Sequence, residues 1–265
     1  MSWIDVNTKL FGLIGYNISY TLSPAIHNYI FREIGYNAVY LVFDISEERF
    51  NKMIDALIEL CEGLNITIPY KEKIVGFLKE FDNDAKRIGA VNTVYKGRGY
   101  NTDYTAIKSL VIEKINDLQD MICYIYGAGG AAKASAIALG DLGCKISIVN
   151  RSIERAVELV KRLNSLGYEA KVENKCGERV DVVVNATPNP LFVHDDCLKA
   201  KLVIDLVYRP VETILIKRAR NRGVDVIDGI RILVKQALDA QRIWHGNTYP
   251  EEKIIRYLYD RKLIW

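Results

Sequence analysis

An α/β fold in two lobes, the second built on a parallel sheet, is what this sequence predicts. Three observations carry the prediction. Short apolar runs alternate with longer helical patterns along most of the chain; a glycine turn in the second half stands between an apolar run and a small-residue helix; and polar residues collect at the ends of the apolar runs in the first half. Strands separated by helices imply right-handed βαβ units, and therefore parallel pairing.

Taken in order, Lys9–Ile14 reads as a strand closed by Gly15. Ser23-Pro24 then opens a helix to Ile34, with Ser23 at the N-cap and proline at the first helical position. Ala38–Phe43, β-branched and aromatic, is a second strand. Glu47–Leu60 places Phe50, Met53, Ile54, Leu57 and Ile58 at the spacing of a one-sided helix. Gly63–Ile68 is a strand ending at Pro69, Lys71–Phe81 a helix, and Ala90–Tyr95 and Gly97–Asn101 short strands joined by a turn. In the second half, Met121–Tyr126 is a buried-type strand, Gly127–Gly130 a turn and Ala131–Gly140 a helix. Strands follow at Lys145–Val149, Glu169–Val172, Val180–Asn185, Leu202–Leu206 and Val224–Ile227, and helices at Ile153–Ser165, Thr213–Arg222, Ile230–His245 and Glu251–Tyr259. The expected domains are residues 1–103, completed by C-terminal helices 229–265, and residues 104–228.

Composition narrows the function classes. Of 265 residues, 49% are hydrophobic, enough for a sizeable core, and a net charge of +3 with dispersed basic residues argues against a nucleic-acid or membrane-surface binder. The N-terminus lacks a signal-peptide pattern, and no apolar run reaches the roughly 18 residues of a membrane span. The expectation is a soluble, cytoplasmic protein, monomer or homodimer. Cys61, Cys123, Cys144, Cys176 and Cys197 are dispersed and form no C-x-x-C pair, so they read as reduced thiols packed in the core. His27, His194 and His245 lack the spacing of a metal site, and no metal is expected.

Gly127-Ala128-Gly129-Gly130-Ala131-Ala132 fits the dinucleotide form G-x-G-x-x-A in its proper context, after a strand and at a helix start. The first glycine permits a tight turn, the second a close backbone approach to a pyrophosphate, and the amides of the helix start receive the phosphates. This makes the second lobe Rossmann-like. The next strand ends in Asn150-Arg151-Ser152, with Arg155 a turn later, where NAD-binding folds place a carboxylate for the ribose 2′-hydroxyl. Guanidiniums and a hydroxyl there favour a 2′-phosphate, hence NADP. Two arginines at a helix start oppose the helix dipole, and a bound phosphate would compensate them.

In the first lobe four polar clusters stand out: Thr21–Pro24, Asn65–Lys71, Gly89–Thr93 and Asn101–Asp103. Each alone has a bland reading. Ser23 could be an N-cap, Asn65 and Thr67 one face of a strand, Lys71 a solvated helix start, Asn92 a loop residue satisfying backbone, and Asp103 the cap of the helix that follows. Together they resemble the shikimate dehydrogenase family over essentially the whole chain. Its N-V-T-x-P-x-K run is similar to Asn65–Lys71, its G-A-V-N-T is matched at Gly89–Thr93, its N-T-D at Asn101–Asp103 and its S-x-S-P at Thr21–Pro24. Asn150–Ser152, Asn185–Thr187, the segment from Asp205 to Pro210 and Gln236-Ala237 match further motifs in order. Departures are Asn17 where proline is common, Tyr20 for histidine, Thr21 for serine, Tyr104 for glycine and Ile232 for methionine.

The resemblance implies reversible, NADPH-dependent reduction of 3-dehydroshikimate to shikimate, a step of aromatic amino-acid biosynthesis. It implies Lys71 and Asp103 as the catalytic pair. Thr21, Ser23 and Tyr208 would bind the substrate carboxylate, and Asn65, Thr67, Asn92 and Gln236 the ring hydroxyls. Gly229 and the backbone near Leu206 would lie against the nicotinamide. A lysine ammonium near the carbonyl can stabilise the developing alkoxide and donate a proton. Alternatives are a quinate/shikimate dehydrogenase working oxidatively, an enzyme of the methylenetetrahydrofolate dehydrogenase kind, and a non-catalytic metabolite sensor. Asn150–Ser152 speaks against the first, the Gly89–Thr93 and Asn101–Asp103 clusters against the second, and retention of both Lys71 and Asp103 against the third.

Overall fold

The computed structural model describes residues 4–264. The chain divides into two compact units, one running up to Thr102 and taking in Val234–Leu263, the other Asp103–Leu233 with Ile264. The division therefore falls between Thr102 and Asp103, and again inside a helix near the C-terminus.

The first unit contains β1 (Lys9–Gly15), α1 (Ser23–Glu33), β2 (Ala38–Asp44), α2 (Glu47–Leu60), β3 (Gly63–Ile66), β4 (Glu80–Phe81), α3 (Asn83–Ile88), β5 (Thr93–Tyr95) and β6 (Arg98–Tyr100). Its sheet runs β2-β1-β3-β5-β6-β4. The β1, β2 and β3 strands are parallel, whereas β5 returns antiparallel to β3, Asn65 opposite Thr93, because β5 and β6 are a hairpin turned at Lys96-Gly97 with both residues at positive φ. The apolar face of α2 buries Phe50, Ile54 and Leu57 against Ile66, Tyr70 and Ile74.

The second unit begins with α4 (Thr102–Ile112, its first residue belonging to the first unit) and continues with β7 (Ile122–Tyr126), α5 (Gly130–Gly140), β8 (Lys145–Val149), α6 (Ile153–Ser165), β9 (Ala170–Val172), β10 (Val182–Asn185), β11 (Leu202–Asp205), α7 (Ile214–Arg220) and β12 (Asp225–Ile227). All pairings in its sheet, ordered β12-β11-β10-β7-β8-β9, are parallel. Order reverses beside β7, so a crevice opens at the carboxyl ends of β7 and β10. α8 (Gly229–His245) then carries the chain back into the first unit, where Trp244 packs on Phe11 and donates its indole N–H to the Val94 carbonyl at 3.2 Å. α9 (Glu251–Asp260) lies beside α1, Tyr257 stacked on Tyr29 at 4.0 Å.

Five readings of the sequence, expectations and bland alternatives alike, are corrected. Lys71–Phe81 is not a helix: a single 3-10 turn, Lys73–Phe77, gives way to extended backbone at Leu78 and to β4. Gly76 weakens a helix there, and burying Ile74 and Leu78 while β4 pairs with β6 satisfies more backbone and apolar surface. Ser23 is not a side-chain N-cap; the cap position is Leu22, and Ser23 lies in the first turn with its N–H bound to Thr21 Oγ1. Asp103 likewise lies inside α4 rather than capping it. The cysteines are not all reduced: Cys176 and Cys197, 21 residues apart and flanking β10, are brought to a Cα–Cα distance of 5.4 Å and form a disulfide. Cys61, Cys123 and Cys144 are free and buried. Finally, the arginines at the start of α6 are not alone against the helix dipole, because Glu154 stands in the first turn and accepts from Ser152 Oγ at 2.8 Å. Among the described residues no helix is long and apolar enough to cross a membrane, and no group of three His, Cys, Asp or Glu side chains could hold a metal ion.

Candidate active site

In the first unit one largely buried polar network collects three of the side chains singled out from sequence, Asn65, Asn92 and Gln236. Asn65, on the central β3, accepts from the Tyr40 hydroxyl at 2.8 Å and donates to the Asn92 carbonyl at 3.1 Å and Thr93 Oγ1 at 3.0 Å. Asn92, just before β5, accepts from the Thr102 N–H at 2.7 Å and donates to Thr102 Oγ1 at 3.1 Å. Thr102 Oγ1 in turn reaches Gln236 Oε1, on α8, at 3.4 Å. Both amide hydrogens of Asn65 are thus spent inside the protein, leaving a lone pair on Oδ1, while one amide hydrogen of Asn92 goes to Thr102 Oγ1. Asn65, Asn92, Thr93 and Thr102 are buried, so a broken link strands polar groups away from water.

Tyr40 was not legible as a site residue. Its ring is fully buried, its own backbone is gripped on both sides by the Asn28 amide, and its hydroxyl lies between Asn65 and Ser23. Burial pushes that phenol well up, so it stays a neutral donor. Thr21 and Ser23 sit together at the start of α1, Thr21 just before the helix and Ser23 in its first turn, their hydroxyl oxygens 3.2 Å apart. Asn17, in the loop after β1, has φ of 55°, and Asp44 accepts the N–H groups of Asn17 and Ile18. Proline could not adopt this φ or supply that donor, which explains the departure from the family pattern here.

Lys71 is half-buried, and the residue before it and its own backbone are fixed. Tyr70 is fully buried, stacked on Phe50 at 4.1 Å, with its hydroxyl on the Ile45 carbonyl. The Lys71 carbonyl accepts from the Val91 N–H at 2.8 Å, which ties it to the segment carrying Asn92. Thr67 packs its methyl where a Cβ on Gly15 would stand. Asp103 is buried, 7% exposed, in the first turn of α4, where the helix dipole favours a carboxylate.

In the second unit the glycine turn follows β7. Gly127 has φ of 118°, and a Cβ on it would stand 3.1 Å from the Ala186 carbonyl oxygen, so only glycine fits. At Gly129, the N-cap position of α5, a Cβ would meet nothing within 4 Å. Packing does not demand a glycine there; a ligand approaching the backbone would. Ala128 is buried and Gly130 and Ala131 form the first turn of α5. Asn150, Arg151, Ser152 and Arg155 cluster at the end of β8, with Asn150 Nδ2 on the Ser152 carbonyl and Ser152 Oγ receiving the Arg155 N–H. These residues fit a phosphorylated dinucleotide.

Gly229 has a reason of its own: a Cβ would stand 2.4 Å from the Val207 carbonyl oxygen and 2.8 Å from the Tyr208 nitrogen. It is therefore what lets α8 start against the segment holding Leu206 and Tyr208. A second network underlies this rim. Asp205 accepts from Thr213 Oγ1 at 2.6 Å and from Asn185 Nδ2 at 2.9 Å, and Asn185 Oδ1 accepts the Thr187 hydroxyl at 2.7 Å. Burial raises the Asp205 pKa despite those donors. These groups hold the loops after β10 and β11.

Comparison with known proteins agrees with this architecture. Residues 13–94 match the model of the shikimate dehydrogenase substrate binding domain, and residues 109–216 that of shikimate / quinate 5-dehydrogenase. A shikimate dehydrogenase (NADP(+)) from Saccharolobus islandicus is 56% identical, over 99% of this chain and 98% of the relative. A shikimate dehydrogenase from Sulfurisphaera tokodaii is 53% identical, over 99% of each. A crystal structure of a shikimate dehydrogenase in complex with NADP+ superimposes with a TM-score of 0.88 at 34% identity, covering 97% of both chains.

Proposed function

The chain belongs to the shikimate dehydrogenase family, and from that premise we propose that it catalyses the reversible, NADPH-dependent reduction of 3-dehydroshikimate to shikimate. The observation that carries the reading is the single buried network from Tyr40 to Gln236, which assembles three expected substrate contacts on one scaffold tied to the Lys71 segment. When bound, the nicotinamide supplies the hydride. Gly127–Ala131 would hold its pyrophosphate on backbone amides, Asn150, Arg151, Ser152 and Arg155 the 2′-phosphate, and Leu206 and Gly229 the nicotinamide side. Thr21, Ser23 and Tyr208 present hydroxyls for the substrate carboxylate; Asn65, Thr67, Asn92 and Gln236 orient the ring hydroxyls. The Lys71 ammonium stabilises negative charge developing on the substrate's C3 oxygen and delivers a proton to that atom. Asp103 orients the ammonium and holds a ring hydroxyl. The working unit is a cytoplasmic monomer or homodimer acting on a small molecule.

The test is NADPH oxidation with 3-dehydroshikimate, run beside 3-dehydroquinate and with NADH as the competing cofactor. Turnover selective for 3-dehydroshikimate and NADPH supports the reading. Preference for 3-dehydroquinate and NADH would make the chain a quinate-type enzyme, and no turnover with any pair would make it a binder.

A further inference from the structure

We infer that Tyr104 and Asp141 form a positioning clamp for Asp103, an inference that rests on the reading of Asp103 as a catalytic group. Tyr104 stands where the family commonly has glycine, and the structure gives its side chain a built partner. The ring is buried, 5% exposed, and the hydroxyl donates to Asp141 Oδ2 at 2.6 Å. Lys108, one turn further along α4, donates to the same hydroxyl at 3.0 Å and stands 3.8 Å from Asp141 Oδ2. Tyr168 donates to the other oxygen, Oδ1, at 2.5 Å. Gly140 makes room for this arrangement, since a Cβ there would stand 2.6 Å from the Tyr168 ring.

Asp141 caps the C-terminal end of α5, where a carboxylate opposes the helix dipole. Two phenolic hydroxyls and an ammonium are what hold it there. The opposite end of α5 is the Gly129-Gly130 turn, about 16 Å away for eleven helical residues. A chain of rigid links thus runs from the dinucleotide turn, along α5, through Asp141 and Tyr104, to the residue beside Asp103.

The other side of Asp103 is held as firmly, but by the first unit: Thr102 is bound through its N–H and its hydroxyl to Asn92. The chain passes from one unit to the other between Thr102 and Asp103. Asp103 therefore sits between two anchors, one residue to either side, one on the substrate network and one on the cofactor helix. A first helical turn at such a passage would fray without them. With glycine at 104 the second anchor would be missing.

The experiment uses the full-length enzyme and the variants Tyr104→Phe, Asp141→Asn and their combination. It measures kcat and KM for shikimate, NADP+ affinity by fluorescence, the melting temperature, and the isotope effect on kcat with shikimate deuterated at C3. Each single variant is expected to lower kcat about tenfold, the scale of a sub-ångström misplacement of a catalytic group. KM and NADP+ affinity should stay within twofold and the isotope effect should rise; the double variant should fall no further than either single. Unchanged kcat in Tyr104→Phe overturns the clamp, as does a loss that appears only as weaker NADP+ binding or a lower melting temperature. Asp103→Asn is measured alongside. If it keeps full turnover, the catalytic reading of Asp103 itself fails; if it loses turnover while Tyr104→Phe does not, only the clamp fails.

Discussion

The two units hold their functional residues by opposite means. In the first, candidate substrate contacts are side chains bonded to other side chains: Tyr40 to Asn65, Asn65 to Thr93, Asn92 to Thr102, Thr102 to Gln236. In the second, the candidate phosphate site is backbone, shaped by Gly127 at positive φ and by the start of α5, and only the 2′-phosphate end depends on side chains. A small polar substrate with several hydroxyls calls for a lattice of fixed donors and acceptors, whereas a phosphate chain needs amides in a turn. Damage should therefore spread through the first site and stay local in the second.

Four measurements break or sharpen that contrast. Replacing Arg151 and Arg155 together with alanine should cost NADPH binding about 3 to 4 kcal/mol, a few hundredfold, with NADH binding and shikimate KM little changed, as titration of both cofactors would show. Equal losses for both cofactors would remove the 2′-phosphate role. Within the second unit, Cys176→Ser opens a disulfide closing 21 residues of chain and should destabilise that unit by about 3 kcal/mol, read by denaturant unfolding with and without reductant. In the first unit, Asn65→Ala removes one partner each from the Tyr40 hydroxyl, the Asn92 carbonyl and Thr93 Oγ1. It should cost about 2 kcal/mol of stability and raise shikimate KM while NADP+ affinity holds. A purely local effect, with KM changed and stability intact, would contradict the lattice.

The fourth measurement concerns His27, fully buried, stacked on Tyr40 at 4.3 Å, its Nδ1 paired with Gln241 and its Nε2 without a hydrogen-bond partner. Burial, helped by nearby His245, lowers its pKa from 6.5 to about 3. The folded state then binds fewer protons than the unfolded chain across that window. Its contribution is complete above pH 6.5 and is lost as pH falls towards 3, at no more than about 1.4 kcal/mol per pH unit. His27→Phe keeps the stack and should flatten the acid limb of a stability–pH curve; an unchanged limb would place the titration elsewhere.

What could be read in the sequence follows the same division. The β7–turn–α5 unit was legible because its glycines form one short run between an apolar strand and a small-residue helix. The polar clusters were legible as short runs, yet their wiring was not, because Tyr40 meets Asn65 across 25 residues and Thr102 meets Gln236 across 134. The extent of α4 was hidden for a different reason. Tyr104, Ala106, Ile107, Leu110 and Val111 are all buried, so apolar residues cover more than one face and no single stripe marks the helix. Lys71–Phe81 erred the other way, a helix-like pattern whose apolar residues are instead buried by a turn and a two-residue strand. The Cys176–Cys197 pair left no spacing signal, since a whole strand, β10, and the loop after it separate the two cysteines.

The account stands on Lys71 acting at the reacting oxygen, and one comparison tests it most directly: kcat for shikimate oxidation in Lys71→Ala against NADP+ affinity of the same variant by fluorescence titration. The account predicts a fall in kcat of about a thousandfold, the scale of losing a positioned proton-transfer group, with cofactor affinity unchanged. Turnover within a few-fold of the parent enzyme would contradict it.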